Sequence, residues 1–262
     1  MLNTHGDNYV NYDKHVTNID LSNFRQNTAL HWMVEGESIQ TGIHIMNIIE
    51  NEFPDYLTII NDNVFINDLL GNPMKTFKYK NYNISASLPR YLWYAFDIIS
   101  KLNKNNINSV KIFEIGGGYG ALARVLLSVC PSFNIKIYKY TMVDLKNVSI
   151  LQEKYLKHFK FNNTYHIPYD DLNEQKDNID FDLVISSGCI GEIPNDDIRL
   201  FYINNFINKS KYVHLFWNNS QNDIHFINKH LSHLNKENIF KLFALQAHPG
   251  CDWLQLSLYK HE

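Results

Sequence analysis

The chain is poor in what secreted and membrane-spanning proteins carry. Its three cysteines, Cys130, Cys189 and Cys251, are too few and too scattered for a disulfide framework or a C-x-x-C zinc site. No apolar run approaches the roughly 18–20 residues that cross a bilayer. The opening MLNTHGDNYV has neither the basic nor the apolar region of a secretory signal. These absences predict a reducing, cytoplasmic setting without membrane contact. An excess of positive charge is missing too, since 24 Lys and Arg face 27 Asp and Glu, a formal net charge of −3. That balance argues against a nucleic-acid partner held by phosphate neutralisation. What is present is core material. Hydrophobic residues make up 45% of the 262 positions, with 16 Tyr and 16 Phe. The length suits one α/β core with an appendage.

The order of patterns divides the chain. The first 20 or so residues are polar and predicted to be poorly ordered until they dock on something. Residues 24–53 read as helical, with Ile39, Ile43, Met46 and Ile49 on one face, until Pro54 interrupts. A second apolar segment, 56–70, stops at Gly71-Asn72-Pro73. Residues 75–84 alternate and fit either a hairpin or an extended loop, and 88–102 return to a helical pattern. A polar linker at 103–108 places the boundary between an N-terminal helical cap, 1–103, and a second domain, 104–262. Beyond it, strands at 110–115, 135–143, 164–168, 181–186 and 212–217 alternate with helices, and two strands, 239–246 and 253–259, close the pattern. Such alternation predicts a mostly parallel seven-stranded sheet covered on both faces, ending in an antiparallel hairpin.

The sharpest signal is Phe113-Glu114-Ile115-Gly116-Gly117-Gly118-Tyr119-Gly120-Ala121, between a predicted strand and a predicted helix. Glycines there let the backbone turn tightly and approach a ligand. Gly116, Gly118 and Ala121 fit the dinucleotide pattern G-x-G-x-x-A. Counting from Glu114, the string is also E-x-G-x-G-x-G, which resembles the loop of class I S-adenosyl-L-methionine (SAM) dependent methyltransferases. Asp144 ends the next strand, followed by Leu145, where a carboxylate can accept hydrogen bonds from both ribose hydroxyls in either cofactor. Asp170 and Asp171 follow the third strand, at the usual adenine position. Phe181 to Ser187 forms a fourth strand leading to the mouth of the site.

Three segments sharpen the resemblance. Asn67-Asp68-Leu69-Leu70-Gly71-Asn72-Pro73, then Ile84-Ser85-Ala86-Ser87-Leu88-Pro89-Arg90-Tyr91, then Phe113 through Gly120 are similar, in order, to the sugar O-methyltransferase family. The chain departs from the family at Ser87, Leu88 and Pro89, and nothing from His214 onward matches it. The resemblance implies a Rossmann-like class I methyltransferase core, SAM as cofactor, and an N-terminal helical region closing over the pocket. It also implies a sugar, nucleotide-sugar or glycan acceptor. Ser85, Ser87 and Arg90 would then lie near the cofactor carboxylate or the acceptor, with Glu114, Gly116, Gly117, Gly118, Gly120, Asp144, Leu145, Asp170, Asp171 and Ser187 around the cofactor. An appended helical region is a frequent dimer contact, so a homodimer is one option.

Methyl transfer to a hydroxyl needs alignment and a proton acceptor. Glu192, after the fourth strand, is the first candidate base or acceptor clamp, and His248, between the last two strands, is the second. His225, His230 and His233 do not share one helical face, so a zinc triad is rejected and no metal is expected. The residues after the fourth strand, Ser187-Gly188-Cys189-Ile190, lack the [D/N]-P-P-[Y/F] of base methyltransferases. Two alternatives remain open: a nicotinamide-dependent oxidoreductase using the same glycines, and a methyltransferase-like binding protein without turnover.

Overall fold

A computed structural model describes residues 7–17, 20–220, 223–244 and 251–259. Seven strands form the central sheet: β3 (Ser109–Ile115), β4 (Lys136–Asp144), β5 (Thr164–Pro168), β6 (Leu183–Ser187), β7 (Tyr212–Ser220), β8 (Asn235–Asn238) and β9 (Cys251–Tyr259). Their order is β5-β4-β3-β6-β7-β9-β8, with β9 antiparallel to both its neighbours and the rest parallel. This is the mostly parallel, Rossmann-like sheet expected from the sequence. The strand order reverses between β3 and β6, the crevice where doubly wound sheets bind ligands. Residues 76–85 form a separate hairpin, β1 (Thr76–Tyr79) with β2 (Tyr82–Ser85).

Twelve helices surround these strands among the described residues. The N-terminal set is α1 (Asp7–His15), α2 (Thr28–Val34), α3 (Ile39–Glu52), α4 (Pro54–Ile59), α5 (Asn63–Ile66) and α6 (Leu88–Lys104). In the sheet half follow α7 (Ala121–Val129), α8 (Lys146–His158), α9 (Tyr169–Gln175), α10 (Cys189–Glu192), α11 (Asp196–Tyr202) and α12 (Asp223–His230). Helix α6 is buried almost all round and joins the two halves. Its Tyr94 ring stacks on Phe216 of β7 at 3.6 Å. Its Asp97 carboxylate meets His214 Nε2 of β7 at 2.9 Å, and His214 Nδ1 lies 2.8 Å from the Tyr259 hydroxyl of β9. One buried imidazole thus ties a helix to two strands.

The polar start is helical from Asp7, docked on α2 and α8. Three expectations need correction. The predicted long helix is cut in two at residues 35–38, where Ser38 turns outward as the cap of α3 and accepts from the Thr41 N–H. The buried face of α3 carries Gly42, Ile45, Met46 and Ile49, leaving Ile39 and Ile43 on the surface at 36% and 43% exposure. The penultimate strand lies earlier than read. The polar Asn235–Asn238 pairs with β9 at the sheet edge, where backbone bonds suffice, while Ile239, Leu242 and Phe243 turn into the core on a 3-10 turn.

Candidate functional site

The glycine loop leaves β3 and enters α7 at the C-terminal edge of the sheet. Gly116 (φ +73°) and Gly118 (φ +56°) both occupy the left-handed region that side chains disfavour. A Cβ at Gly116 would sit 2.2 Å from the Cys189 Cβ, and one at Gly118 would sit 2.6 Å from Val34 Cγ1. Both positions are therefore fixed as glycine by conformation and by space.

Asp144, at the end of β4, is bound to this loop. Its Oδ2 accepts from the Gly118 N–H at 3.1 Å and from Gln152 Nε2 at 3.1 Å, and its Oδ1 accepts from the Leu145 N–H at 2.9 Å. Gln152, on α8, also donates to the Gly118 carbonyl at 2.9 Å, so one amide fixes loop and carboxylate together. Burial pushes the Asp144 carboxyl up to about 7, against the pull of the Leu145 and Gly118 N–H donors. Beneath the loop, Glu114 is fully buried and accepts from the Tyr140 hydroxyl at 2.9 Å; burial raises it to about 7 as well. Two acidic groups under one glycine loop make the site suited to a ligand with a cationic end.

A cleft opens beside the loop. It is lined by Gly116, Gly118, Val143, Asp144 and Leu145 from the loop and the end of β4, by Ser187, Cys189, Glu192 and Ile193 from the end of β6 and the turn after it, by Tyr169 and Tyr202, and by Tyr12, Met33 and Val34 from the N-terminal helices. Its volume is about 80 Å³, small against the several hundred Å³ of ordinary ligand pockets. Glu192 stands at the mouth on a turn held by Arg199, which donates to the carbonyls of Gly191 and Ile193 on either side of it and pairs with Asp223 at 2.8 Å.

The structure brings Gly116, Gly118, Asp144, Leu145, Ser187 and Glu192 to one cleft. It places other sequence-predicted residues elsewhere. Asp170 and Asp171 lie exposed on the first turn of α9, and Tyr169 turns inward instead. Ser85, Ser87 and Arg90 direct their polar atoms to the chain itself. The Ser87 hydroxyl donates to Glu35 at 3.0 Å, the Ser85 N–H donates to Asp68, and Arg90 pairs with Glu37 at 2.7 Å and donates to the Val34 carbonyl at 2.8 Å. Gly117 packs over Glu114, and Gly120 (φ +94°) starts α7. His248 lies outside the described residues. Among the described residues, no group of three His, Cys, Asp or Glu is arranged to hold a metal ion, and no helix is long and apolar enough to cross a membrane.

The residues around Ser85 and Ser87 explain the upstream motif. Glu35 and Asp68 are buried against two buried arginines. Arg25 pairs with Glu35 and reaches the Asp68 carbonyl, while Arg124 of α7 meets Asp68 Oδ1 at 3.2 Å and donates to the Val64 carbonyl at 3.1 Å. The Tyr119 hydroxyl of the glycine loop donates to Glu35 at 2.7 Å. The loop is thereby clamped to the N-terminal helices by charge-assisted bonds in a dry interior.

No protein-family model and no curated protein matches the chain. Among solved structures it is similar to a SAM-dependent methyltransferase from Aquifex aeolicus, at 10% identity over 63% of this chain and 90% of that one, with a TM-score of 0.41. It is also similar to precorrin-6y C5,15-methyltransferase from Geobacter metallireducens, at 14% identity over 63% of this chain and 87% of that one, with a TM-score of 0.43.

Proposed function

We propose that the chain is a SAM-dependent O-methyltransferase acting on a hydroxyl of a sugar, nucleotide-sugar or glycan. The observation that carries the cofactor half is the positive-φ glycine loop hydrogen-bonded to Asp144 at the switch point of the sheet. SAM fits this donor set. Asp144 would receive the ribose hydroxyls. Gly116 and Gly118 keep the loop backbone at the cleft in a turn that other residues disfavour, and the buried acids Glu114 and Asp144 favour a sulfonium and ammonium over the diphosphate of a nicotinamide dinucleotide. When bound, the cofactor supplies an activated methyl on a good leaving group.

What remains for the chain is to hold the acceptor in line and take its proton. In this reading Glu192, across the cleft from the loop, is the base, and Ser187 and Tyr202 border the acceptor's place. The proton moves from the acceptor hydroxyl to the Glu192 carboxylate as the oxygen attacks. Residues 1–103 form the cap side of the site. The sugar class rests on the similarity of residues 67–73, 84–91 and 113–120 to sugar O-methyltransferases.

Titration with SAM, S-adenosylhomocysteine and NADH in parallel tests the cofactor. Binding of the two adenosyl ligands alone is expected; binding of NADH alone overturns the reading. Labelled-methyl transfer to a panel of sugars and nucleotide-sugars then tests the acceptor, and no transfer to any of them leaves the binding-protein alternative standing. Glu192→Gln is expected to lower kcat by about 100-fold or more, the usual weight of a general base. Its affinity for S-adenosylhomocysteine should not change. A full-rate variant removes Glu192 from the reaction.

A further inference from the structure

Helix α1 lies far from the glycine loop in sequence, yet it reaches the cleft. Tyr12 lines it together with Gly118 and Asp144 and is only 3% exposed. Its hydroxyl has no hydrogen-bond partner among the described residues. A buried phenol without a partner is costly, and tyrosine hydroxyls that are buried normally find one. The neighbouring residue, Asp13, holds α1 down. Its Oδ1 accepts from the Asn147 N–H at 2.8 Å and the Val148 N–H at 3.3 Å, and its Oδ2 accepts from Asn147 Nδ2 at 2.9 Å. These are the first amides of α8, which has no side-chain cap of its own. Two residues on, in the same last turn, Asn27 Nδ2 donates to the His15 carbonyl at 3.2 Å. The C-terminal turn of the helix is therefore pinned to α8 and to the start of α2, with Tyr12 among the residues that line the cleft.

We infer that Tyr12 is a ligand-binding residue, and that α1 is a detachable part of the nucleoside site, latched by Asp13 onto the start of α8. The inference rests on the nucleoside reading above. α1 lifts to admit the ligand over Asp144, and the Asp13 bonds then re-form with the Tyr12 hydroxyl on a polar atom of the ligand. The partner of Tyr12 is then supplied by the ligand and not by the fold.

This makes two effects of one substitution run in opposite directions. Tyr12→Phe deletes only the hydroxyl. It is expected to raise the ligand-free melting temperature by about 1–3 °C, because an unsatisfied buried group is removed. It should also weaken S-adenosylhomocysteine binding by about 3- to 10-fold, because one ligand hydrogen bond is lost. Asp13→Ala should raise the ligand's dissociation rate by about 5-fold or more, the usual place for affinity changes to show. Unchanged affinity in Tyr12→Phe overturns the inference. So does a joint fall of affinity and melting temperature, which would mark Tyr12 as packing alone. Should wild type bind NADH and not S-adenosylhomocysteine, the proposed function fails, and the same Tyr12→Phe comparison made with NADH decides the role of Tyr12. Binding of neither by wild type overturns both.

Discussion

Asp68→Ala is expected to destabilise the protein by about 3–5 kcal/mol, the usual cost of breaking a buried ion pair from one side. The carboxylate serves two buried guanidinium groups, Arg25 at 0% exposure and Arg124 at 2%. It also accepts from the backbone N–H of Ser85. Alanine leaves Arg25 with Glu35 and carbonyls, and leaves Arg124 with the Val64 carbonyl and the face of Phe159. Arg25 keeps a charged partner in Glu35, but Arg124 is left with no carboxylate to offset its burial. Urea unfolding measures the loss. The same network reaches the glycine loop through the Glu35–Tyr119 bond, so ligand affinity should fall with stability in this variant. A change under about 1 kcal/mol would mean that water reaches the arginines, which fall in the range of exposed pairs.

Asp144→Ala carries the second large effect. Under the nucleoside reading it removes the acceptor of two ribose hydroxyls, and affinity for S-adenosylhomocysteine should drop by about 100-fold or more, since bonds to a charged group are worth about 1.5–3 kcal/mol each. The same group shapes the pH response. Its folded-state pKa lies near 7, above the ordinary aspartate value, so between about pH 4 and pH 7 the native state holds a proton that the unfolded chain has released. Stability from this group is thus present at low pH and lost as pH rises through 7. Because Asp144 keeps partial contact with solvent, the contribution is about 1–2 kcal/mol, below the full linkage value. Melting curves of wild type and Asp144→Ala from pH 4.5 to 8 should show a shallower decline in the variant. Glu114, also near 7, contributes a slope of the same sign in both proteins. Ligand binding should run the other way and weaken below pH 7, as the acceptor carboxylate takes up its proton.

Local pattern and tertiary contact divide what the sequence discloses. The strands of the sheet are legible because β3, β4, β6 and β7 are apolar runs bounded by turns, and buried strands must be written that way. Gly116, Gly118 and Asp144 are legible because their roles depend on backbone conformation and on position at a strand end. Tyr12, Met33 and Val34 are not. They reach the cleft by packing across more than 80 residues of chain, and nothing in a polar segment marks one tyrosine as buried. Asp170 and Asp171 are placed by local geometry. On α9 the inward positions are Tyr169 and Leu172, and the acids occupy the outward face that helical geometry leaves them. The polar atoms of Ser85 and Arg90 meet Asp68 and Glu37, and residue type alone does not distinguish such contacts from contact with a ligand.

Strand β9 is made after every other strand of the sheet, yet it lies inside it, paired with β7 along nine residues and with β8 on its other side. During synthesis β7 therefore presents a bare edge until β9 leaves the ribosome, and β8 has no partner at all before then. The seven-stranded sheet cannot close before β9 takes its place, and until that moment the exposed β7 edge can accept the β9 of a neighbouring chain.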